Sequence, residues 1–323
     1  MILISLLIAL AAERVLLSPL WHFNYYYARY INFALGFVSK TEISRSRLNI
    51  ILLALLPAAI VWGVMALIDV EIIDFIVSTL ILVICFGCGF SRDAYKNFLN
   101  AAMRGDEVAV SHHQMELQQD QAYESESFGQ TLVWLNYQYY MAIMLIFIFF
   151  GISAVVFYRV LIALSNNVAI ADADNLAEQT ASDEDASQAS SSEANQAESE
   201  LTDETQSEVT QELDSTYTIS KEALDKSRGL LFYIDFIPTR FSAFGYMLVG
   251  HFSKASTLWL EGLLNYTMSP RKYLCEVAKT SEDCVVDQED LTSEPTLLVR
   301  LAKRNVLLLL AATAFMTIAG ILS

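Results

Sequence analysis

The chain has 323 residues, 54% of them hydrophobic, and a formal net charge of −17. The apolar residues are gathered into blocks, a distribution that excludes an ordinary soluble enzyme domain and favours a bundle of membrane helices. No basic patch interleaved with aromatic residues is present, so nucleic-acid binding has no support.

The chain begins with an apolar stretch that ends at Pro19. The run MILISLLIALAA resembles a signal peptide, but no positive region precedes it, and Glu13 and Arg14 follow directly. We therefore expect Ile2–Leu20 to be an uncleaved helix. It either spans the membrane with both charged side chains turned into the bundle or lies at the membrane interface.

Four further segments are long and apolar enough to cross a hydrocarbon core of about 30 Å. The third of them contains MAIMLIFIFFGISAVVF, which no charge interrupts. The four predicted spans are Ile50–Ile68, Asp74–Phe90, Tyr140–Leu164 and Asn305–Leu322.

Lys and Arg in short loops favour the cytoplasmic side of the membrane. The loops Trp21–Asn49 and Ser91–Tyr139 each hold several basic residues and are predicted to be cytoplasmic. The turn Asp69–Asp74 has only acids and is predicted outside, as is the insert that begins at Ser165. The basic residues around Arg304 return the chain to the inside.

This alternation requires one more crossing, and Gly229–Phe252 is the only candidate. The segment contains Asp235, Pro238 and Arg240. Each central charge costs about 2.5–3.5 kcal/mol on insertion scales, so we expect both charged side chains to face the bundle, water or a headgroup layer. Two interpretations stay open: Asp235 caps a helix that starts there with Pro238 in its first turn, or the polar residues serve a function.

The acidity is concentrated in one insert. Residues 165–220 hold 14 acids and no Lys or Arg, which leaves 23 acids against 20 bases in the rest of the chain. Such a composition buries too little apolar surface to offset the entropy of ordering, and it predicts a disordered linker. We expect three parts: membrane helices with cytoplasmic loops over 1–164, the linker over 165–220, and a C-terminal membrane part over 221–323.

Short motifs do not identify a reaction. Cys85 and Cys88 form C-x-x-C within an apolar run, where packing of small residues explains them better than redox chemistry. His112 and His113 are adjacent and are expected to be ordinary solvated histidines. The standard nucleotide, hydrolase and metalloprotease motifs are absent, so the catalytic residues are unknown and neither a metal nor a cofactor is predicted.

Ionisable groups within membrane segments are functional hypotheses by default. Neighbouring aromatic residues are interpreted as interfacial anchors, namely Trp21, Trp134, Tyr137, Tyr139 and Tyr140. The candidate polar site consists of Glu13, Arg14, Arg92, Asn136, Asp235, Arg240 and His251.

Several blocks of sequence resemble those of a known family. They are LIALAAERVL with Glu13-Arg14, TLVWLNYQYY with Trp134, Asn136 and Tyr140, IDFIPTRF with Asp235, Pro238 and Arg240, the following Gly250-His251, Lys254 and Trp259, and the closing LAKRNVLLLLAATAFMTIAGILS. The ordered set resembles the AmpE family, the membrane-bound modulators associated with beta-lactamase induction. The acidic insert departs from the usual family pattern.

The resemblance implies an all-α polytopic bundle of about five or six spans in the bacterial inner membrane. It also implies a sensory or regulatory role in cell-wall recycling and antibiotic response, with a cytosolic anhydromuropeptide amidase as partner. The family is similar as well to membrane enzymes that attach aminopropanol in cobalamin synthesis. The alternative is therefore an amide-ligase enzyme with Glu13, Arg92, Asp235, Arg240 and His251 around one substrate. A transporter lacks support, because paired broken helices in two similar halves are absent.

Overall fold

The computed structural model describes residues 1–15, 21, 23–37, 47–68, 70–87, 89–119, 127–165, 221–282 and 292–322. Every regular element in this part of the chain is a helix, in agreement with the all-α prediction. The predicted disordered linker lies outside the described residues, apart from Ser165 at the end of a helix.

Six helices precede the long apolar segment. They are α1 (Ile2–Val15), α2 (Phe23–Phe37), α3 (Arg47–Leu67), α4 (Glu71–Cys85), α5 (Gly89–Met103) and α6 (Glu107–Gln119). α1 packs against α4, and α5 packs against α6. α5 buries Ala94, Phe98 and Ala101, which share one helical face, whereas much of the rest of this helix is polar. The sequence therefore separates an apolar group of helices from the more polar pair α5 and α6.

The next segment is a helical hairpin. Helix α7 runs from Phe128 to Phe150 and α8 from Ile152 to Ser165. Gly151, with φ of 79°, ends α7, and a residue with a side chain rarely adopts this conformation. The prediction of one span over Tyr140–Leu164 is therefore wrong, because the apolar run contains two helices.

Two contacts show that α8 folds back along α7. Tyr139 and Arg159 would be about 30 Å apart in one continuous helix. In the structure the Arg159 guanidinium carbon lies 4.7 Å from the centroid of the Tyr139 ring. α7 starts at a capping box in which Ser127 and Gln130 bond each other's backbone N–H groups. The same Ser127 hydroxyl donates to Glu294 Oε1 at 2.6 Å and so joins α7 to the last helix.

The C-terminal part consists of four helices. They are α9 (Lys221–Val249), α10 (Phe252–Leu263), α11 (Pro270–Ser281) and α12 (Ser293–Ile318). α9 packs against α11, α12 and α10, and α12 packs against the first half of α7. Asp235 lies in the middle of α9, so the interpretation of Asp235 as a helix N-cap is wrong.

By length and hydropathy, two of the described helices qualify as membrane spans. Phe128–Phe150 has a mean hydropathy of 1.6 and Ser293–Ile318 one of 1.5. Ile2–Glu13, Ile51–Leu67 and Ile152–Ser165 are apolar but shorter. Five or six crossings therefore stay a prediction.

Candidate functional site at the π turn of α7

Helix α7 contains one turn of π-helix, Tyr137–Met141, between two α-helical stretches. A π turn inserts an extra residue, disturbs the regular backbone hydrogen bonding, and is frequently found at functional sites. Here the carbonyl of Tyr139 accepts a hydrogen bond from the Gly87 N–H of the segment after α4, at 3.1 Å. Three tyrosines of this turn, Tyr137, Tyr139 and Tyr140, each contact a different charged group.

The first group joins α1, α5 and α7. Arg92 Nη1 lies 3.0 Å from Glu13 Oε1 in a salt bridge, and the Tyr140 hydroxyl donates to the same oxygen at 2.7 Å. The Arg92 side chain is 36% exposed and the Glu13 side chain 13%. The structure therefore brings together two of the predicted site residues and adds Tyr140. The pair neutralises its own charge at the edge of the bundle.

Gly87 is required for this arrangement. Its φ is 76°, and a Cβ atom built on it would lie 2.6 Å from Glu13 Cγ. A side chain at this position would displace the carboxylate and strain the backbone at once. The small residues around Cys85 thus serve close packing, as expected for the C-x-x-C segment. Cys85 is a buried free thiol, and Cys88 lies outside the described residues.

The second group surrounds Asp235 of α9. The hydroxyl groups of Tyr137 and Tyr158 both donate to Asp235 Oδ1, at 2.8 and 2.7 Å. Asp235 is 3% exposed, and both tyrosines are also buried. No Lys, Arg or His of the described residues lies within salt-bridge distance of this carboxylate. Within the described part of the chain, two phenol groups donate to it, one from each helix of the hairpin.

The third group contains a cation that the sequence analysis passed over. Arg159 of α8 is 5% exposed, and its guanidinium carbon lies 4.8 Å from the Phe23 ring centroid and 4.7 Å from that of Tyr139. Its Nε has no hydrogen-bond partner in the described part of the chain. Arg159 therefore packs between aromatic rings of α2 and α7.

Arg240 lies five residues after Asp235 on α9 and connects this helix to the turn after α10. Its Nη2 donates to the carbonyl oxygens of Gly262 at 3.3 Å and Asn265 at 3.1 Å. Its guanidinium also lies over the Tyr273 ring, 4.5 Å from the centroid. Burial raises the pKa of Tyr273 to about 12, so the hydroxyl stays protonated and donates to the Trp259 carbonyl. Arg240 thus orders a turn.

The other predicted site residues are also separate. His251 is exposed at the N-cap of α10, and its backbone N–H donates to the Ser281 carbonyl at 2.7 Å. Asn136 is half-buried at the start of the π turn, and its Oδ1 has no hydrogen-bond partner among the described residues. The side chain of Arg14 lies outside the described residues.

The described residues hold no group of three or more His, Cys, Asp or Glu side chains that could bind a metal ion. The rings of His112 and His113 are 5.6 Å apart on α6. The arrangement around the π turn can hold the carboxylates of Glu13 and Asp235 and the guanidinium of Arg159 away from bulk water, each with separate neighbours.

The sequence analysis missed the roles of the tyrosines and of Arg159. Tyr137 and Tyr139 were predicted to be interfacial anchors, but they are 0% and 8% exposed inside the bundle. Tyr158 had no signal in the sequence, because a tyrosine in an apolar run resembles any other large core residue. Arg159 did have a signal in the sequence, since it is the only charged residue between Ser127 and Ser165.

Comparison with known proteins gives one match. The family model described as regulatory signalling modulator protein AmpE matches residues 1–186 and 210–323. No curated protein matches the chain, and no solved structure does. The match includes all the residues around the π turn and the IDFIPTRF block of α9. The chain therefore belongs to the AmpE family of regulatory signalling modulators.

Proposed function

We propose that this protein is a multi-pass inner-membrane regulator that modulates beta-lactamase induction and muropeptide recycling through a cytosolic anhydromuropeptide amidase. The observation that carries the proposal is the separation of the ionisable groups. Glu13 with Arg92, Asp235, and Arg240 occupy three places in the fold, and each has its own partners. Such an arrangement suits conformational coupling better than a single catalytic centre.

The surface of α3 and α4 supports a location in the membrane. Both helices expose large apolar side chains, which lipid would solvate better than water. On α3 these include Leu52, Leu55, Leu56, Ile60, Trp62 and Leu67, and on α4 Ile72, Ile73, Ile76 and Leu80.

The pair α5–α6 supports contact with a soluble partner. Phe98 of α5 packs on Phe128 at the start of α7, with ring centroids 4.5 Å apart, so the pair is attached to the helix that carries the π turn. Its outer surface exposes Met103, Val108 and Met115, which are 77%, 81% and 59% accessible. Exposed apolar side chains surrounded by polar ones are typical of protein interaction sites.

Affinity capture tests the partner. Tagged protein is recovered from solubilised membranes, and the co-purified amidase is quantified against an untagged strain. We expect Val108→Asp to lower amidase recovery at least fivefold, because it places a charge in the apolar contact, an effect of about 1 kcal/mol or more. Asn97→Asp adds the same charge at an exposed polar position of α5 and should leave recovery unchanged.

Absence of the amidase from the wild-type capture would refute the partner. Deletion of the gene for this protein, with muropeptides measured by mass spectrometry, tests the pathway independently. Unchanged muropeptides and unchanged beta-lactam response would refute the proposed role even if the amidase were captured.

The alternative, an amide-ligase enzyme, has one supporting observation. Tyr137 and Tyr140, three residues apart, hold the carboxylates of Asp235 and Glu13 near the same turn. The exposed position of His251 and the separate partners of Arg240 do not support a pocket made from all five residues. Incubation of the purified protein with an amine, a carboxylate and a nucleoside triphosphate that activates the carboxylate tests this alternative, and amide formation that Glu13→Gln abolishes would favour it.

A further inference from the structure

Arg159 presents a feature that the proposed function does not use. It is the only charged residue of the α7–α8 hairpin, and it is 95% removed from solvent. Its Nε makes no hydrogen bond, and its guanidinium makes no ion pair, among the described residues. Burial of a guanidinium with an unsatisfied N–H group is strongly unfavourable, so its position in the core indicates a partner beyond the described residues.

The buried carboxylate of Asp235 is already engaged by other groups. Tyr158, the neighbour of Arg159, donates its hydroxyl to Asp235. Adjacent residues of a helix point about 100° apart, and Arg159 faces the rings of Phe23 and Tyr139 instead. Asp235 accepts from two tyrosines and lies beyond ion-pair distance of Arg159. The carboxylate and the guanidinium are therefore not a pair.

The aromatic neighbours restrict what can bind. Phe23 and Tyr139 lie against the face of the guanidinium, at 4.8 and 4.7 Å. Cation–π contact stabilises the charge but satisfies none of the N–H groups, which lie in the guanidinium plane. The planar N–H fork is not covered by these ring contacts, and its geometry matches two oxygens of an oxyanion.

The position of Arg159 favours a phosphate group. Arg159 is six residues, or about 9 Å, from the end of α8 at Ser165. On α2, Tyr25 and Tyr26 lie two and three residues after Phe23 and are 39% and 46% exposed. Exposed aromatic side chains of this kind are typical of the membrane–water interface. At that depth the abundant oxyanion is the phosphate of a phospholipid.

We propose that Arg159, with Phe23 and Tyr139, forms a binding site for a phosphate group. The group belongs to a membrane phospholipid or to a soluble phosphate, and the chemistry of recognition is the same for both. The aromatic rings hold the guanidinium in place, and its N–H fork donates to two phosphate oxygens. The site is independent of any amidase partner.

Native mass spectrometry of the purified full-length chain in maltoside detergent tests the site. The probes are phosphatidylglycerol, diacylglycerol with the same acyl chains as a control without phosphate, and inorganic phosphate. We expect the chain to bind phosphatidylglycerol but not diacylglycerol. Arg159→Gln should weaken binding about tenfold or more, because it removes a charged hydrogen-bond donor. Arg300→Gln, at an exposed arginine of α12, should not change it.

A second variant covers the case in which Arg159→Gln fails to fold. Arg159→Lys keeps the cation–π contact but loses the planar fork, so we expect a folded protein with weakened phosphatidylglycerol binding. Competition by inorganic phosphate would identify a soluble phosphate as the source, and no competition would identify the lipid. If the wild type and Arg159→Lys bound phosphatidylglycerol equally well, and inorganic phosphate equally well, the proposal would be overturned and Arg159 would be a packing residue.

Discussion

Glu13 and Asp235 are two carboxylates held by the same π turn in different ways. Glu13 lies at the edge of the bundle, where it pairs with Arg92 and accepts one tyrosine hydroxyl. Asp235 lies deeper and accepts two tyrosine hydroxyls without a cation. An ion pair near solvent contributes little, whereas each hydrogen bond to a buried acceptor becomes costly to lose. The carboxylate without a cation should therefore be the more important one for stability.

The largest expected effect comes from Asp235→Ala. The substitution leaves two buried tyrosine hydroxyls without an acceptor, and we expect it to lower the free energy of unfolding by about 2–6 kcal/mol. Chemical unfolding in mild detergent measures the change. Asp93→Ala, at an exposed position of α5, should stay within about 0.5 kcal/mol of the wild type. A smaller loss for Asp235→Ala than for Glu13→Ala would break the comparison.

Tyr158→Phe sharpens the comparison because it removes one donor and keeps the ring. We expect a loss of about 1.5–3 kcal/mol in the free energy of unfolding, the range for a hydrogen bond to a charged group. In the Asp235→Ala background the same substitution should cost less, because the bond is already absent. Equal costs in the two backgrounds would show that Tyr158 acts through packing alone.

Gly151→Ala tests the turn between α7 and α8, which brings the Tyr158 hydroxyl to Asp235 as the second hydrogen-bond donor. The φ of 79° at Gly151 disfavours a side chain, and we expect a loss of about 1–3 kcal/mol in the free energy of unfolding. Gly63→Ala is the matched control: this glycine lies within α3 with open space around it, so the same change should stabilise by about 0.5–1 kcal/mol. Effects of the same sign would contradict the special conformation of Gly151.

The smallest expected effect is that of Glu13→Gln. The change removes the ion pair with Arg92 but leaves an oxygen for the Tyr140 hydroxyl, so we expect a loss of about 0.2–1 kcal/mol in the free energy of unfolding. Added salt should reduce the difference, since the Arg92 side chain is 36% exposed. A loss as large as that of Asp235→Ala, or one that salt does not change, would contradict the smaller contribution of Glu13 to stability.

The sequence was sufficient for the helical class, the family and part of the site. Hydropathy located the long apolar segments because burial of nonpolar surface depends on composition over many residues. It placed the third segment as one span, since a single glycine among apolar residues carries little hydropathy signal. The turn at Gly151 depends on backbone conformation, which periodicity does not report.

The partners of the charged residues could be predicted only in part. Glu13, Arg92 and Asp235 were identified because ionisable groups are rare among apolar segments. Their contacts with Tyr140, Tyr137 and Tyr158 depend on how helices distant in sequence pack. A tyrosine is compatible with core, interface or hydrogen-bond roles, so sequence could not separate these. Arg159 could have been found by the rule that identified the others.

If α7 and α8 each cross the membrane, the reversal of the chain at Gly151 adds one crossing to the predicted count. A helical pair that turns back on itself returns the polypeptide to the compartment from which it came. The 14 carboxylic acids of the insert would then share a compartment with α5–α6, opposite to the location predicted from loop charge. We expect reporter enzymes fused after Asp106 and after Ser190 to be active on the same side. Activity on opposite sides would mean that α7 and α8 together make a single passage.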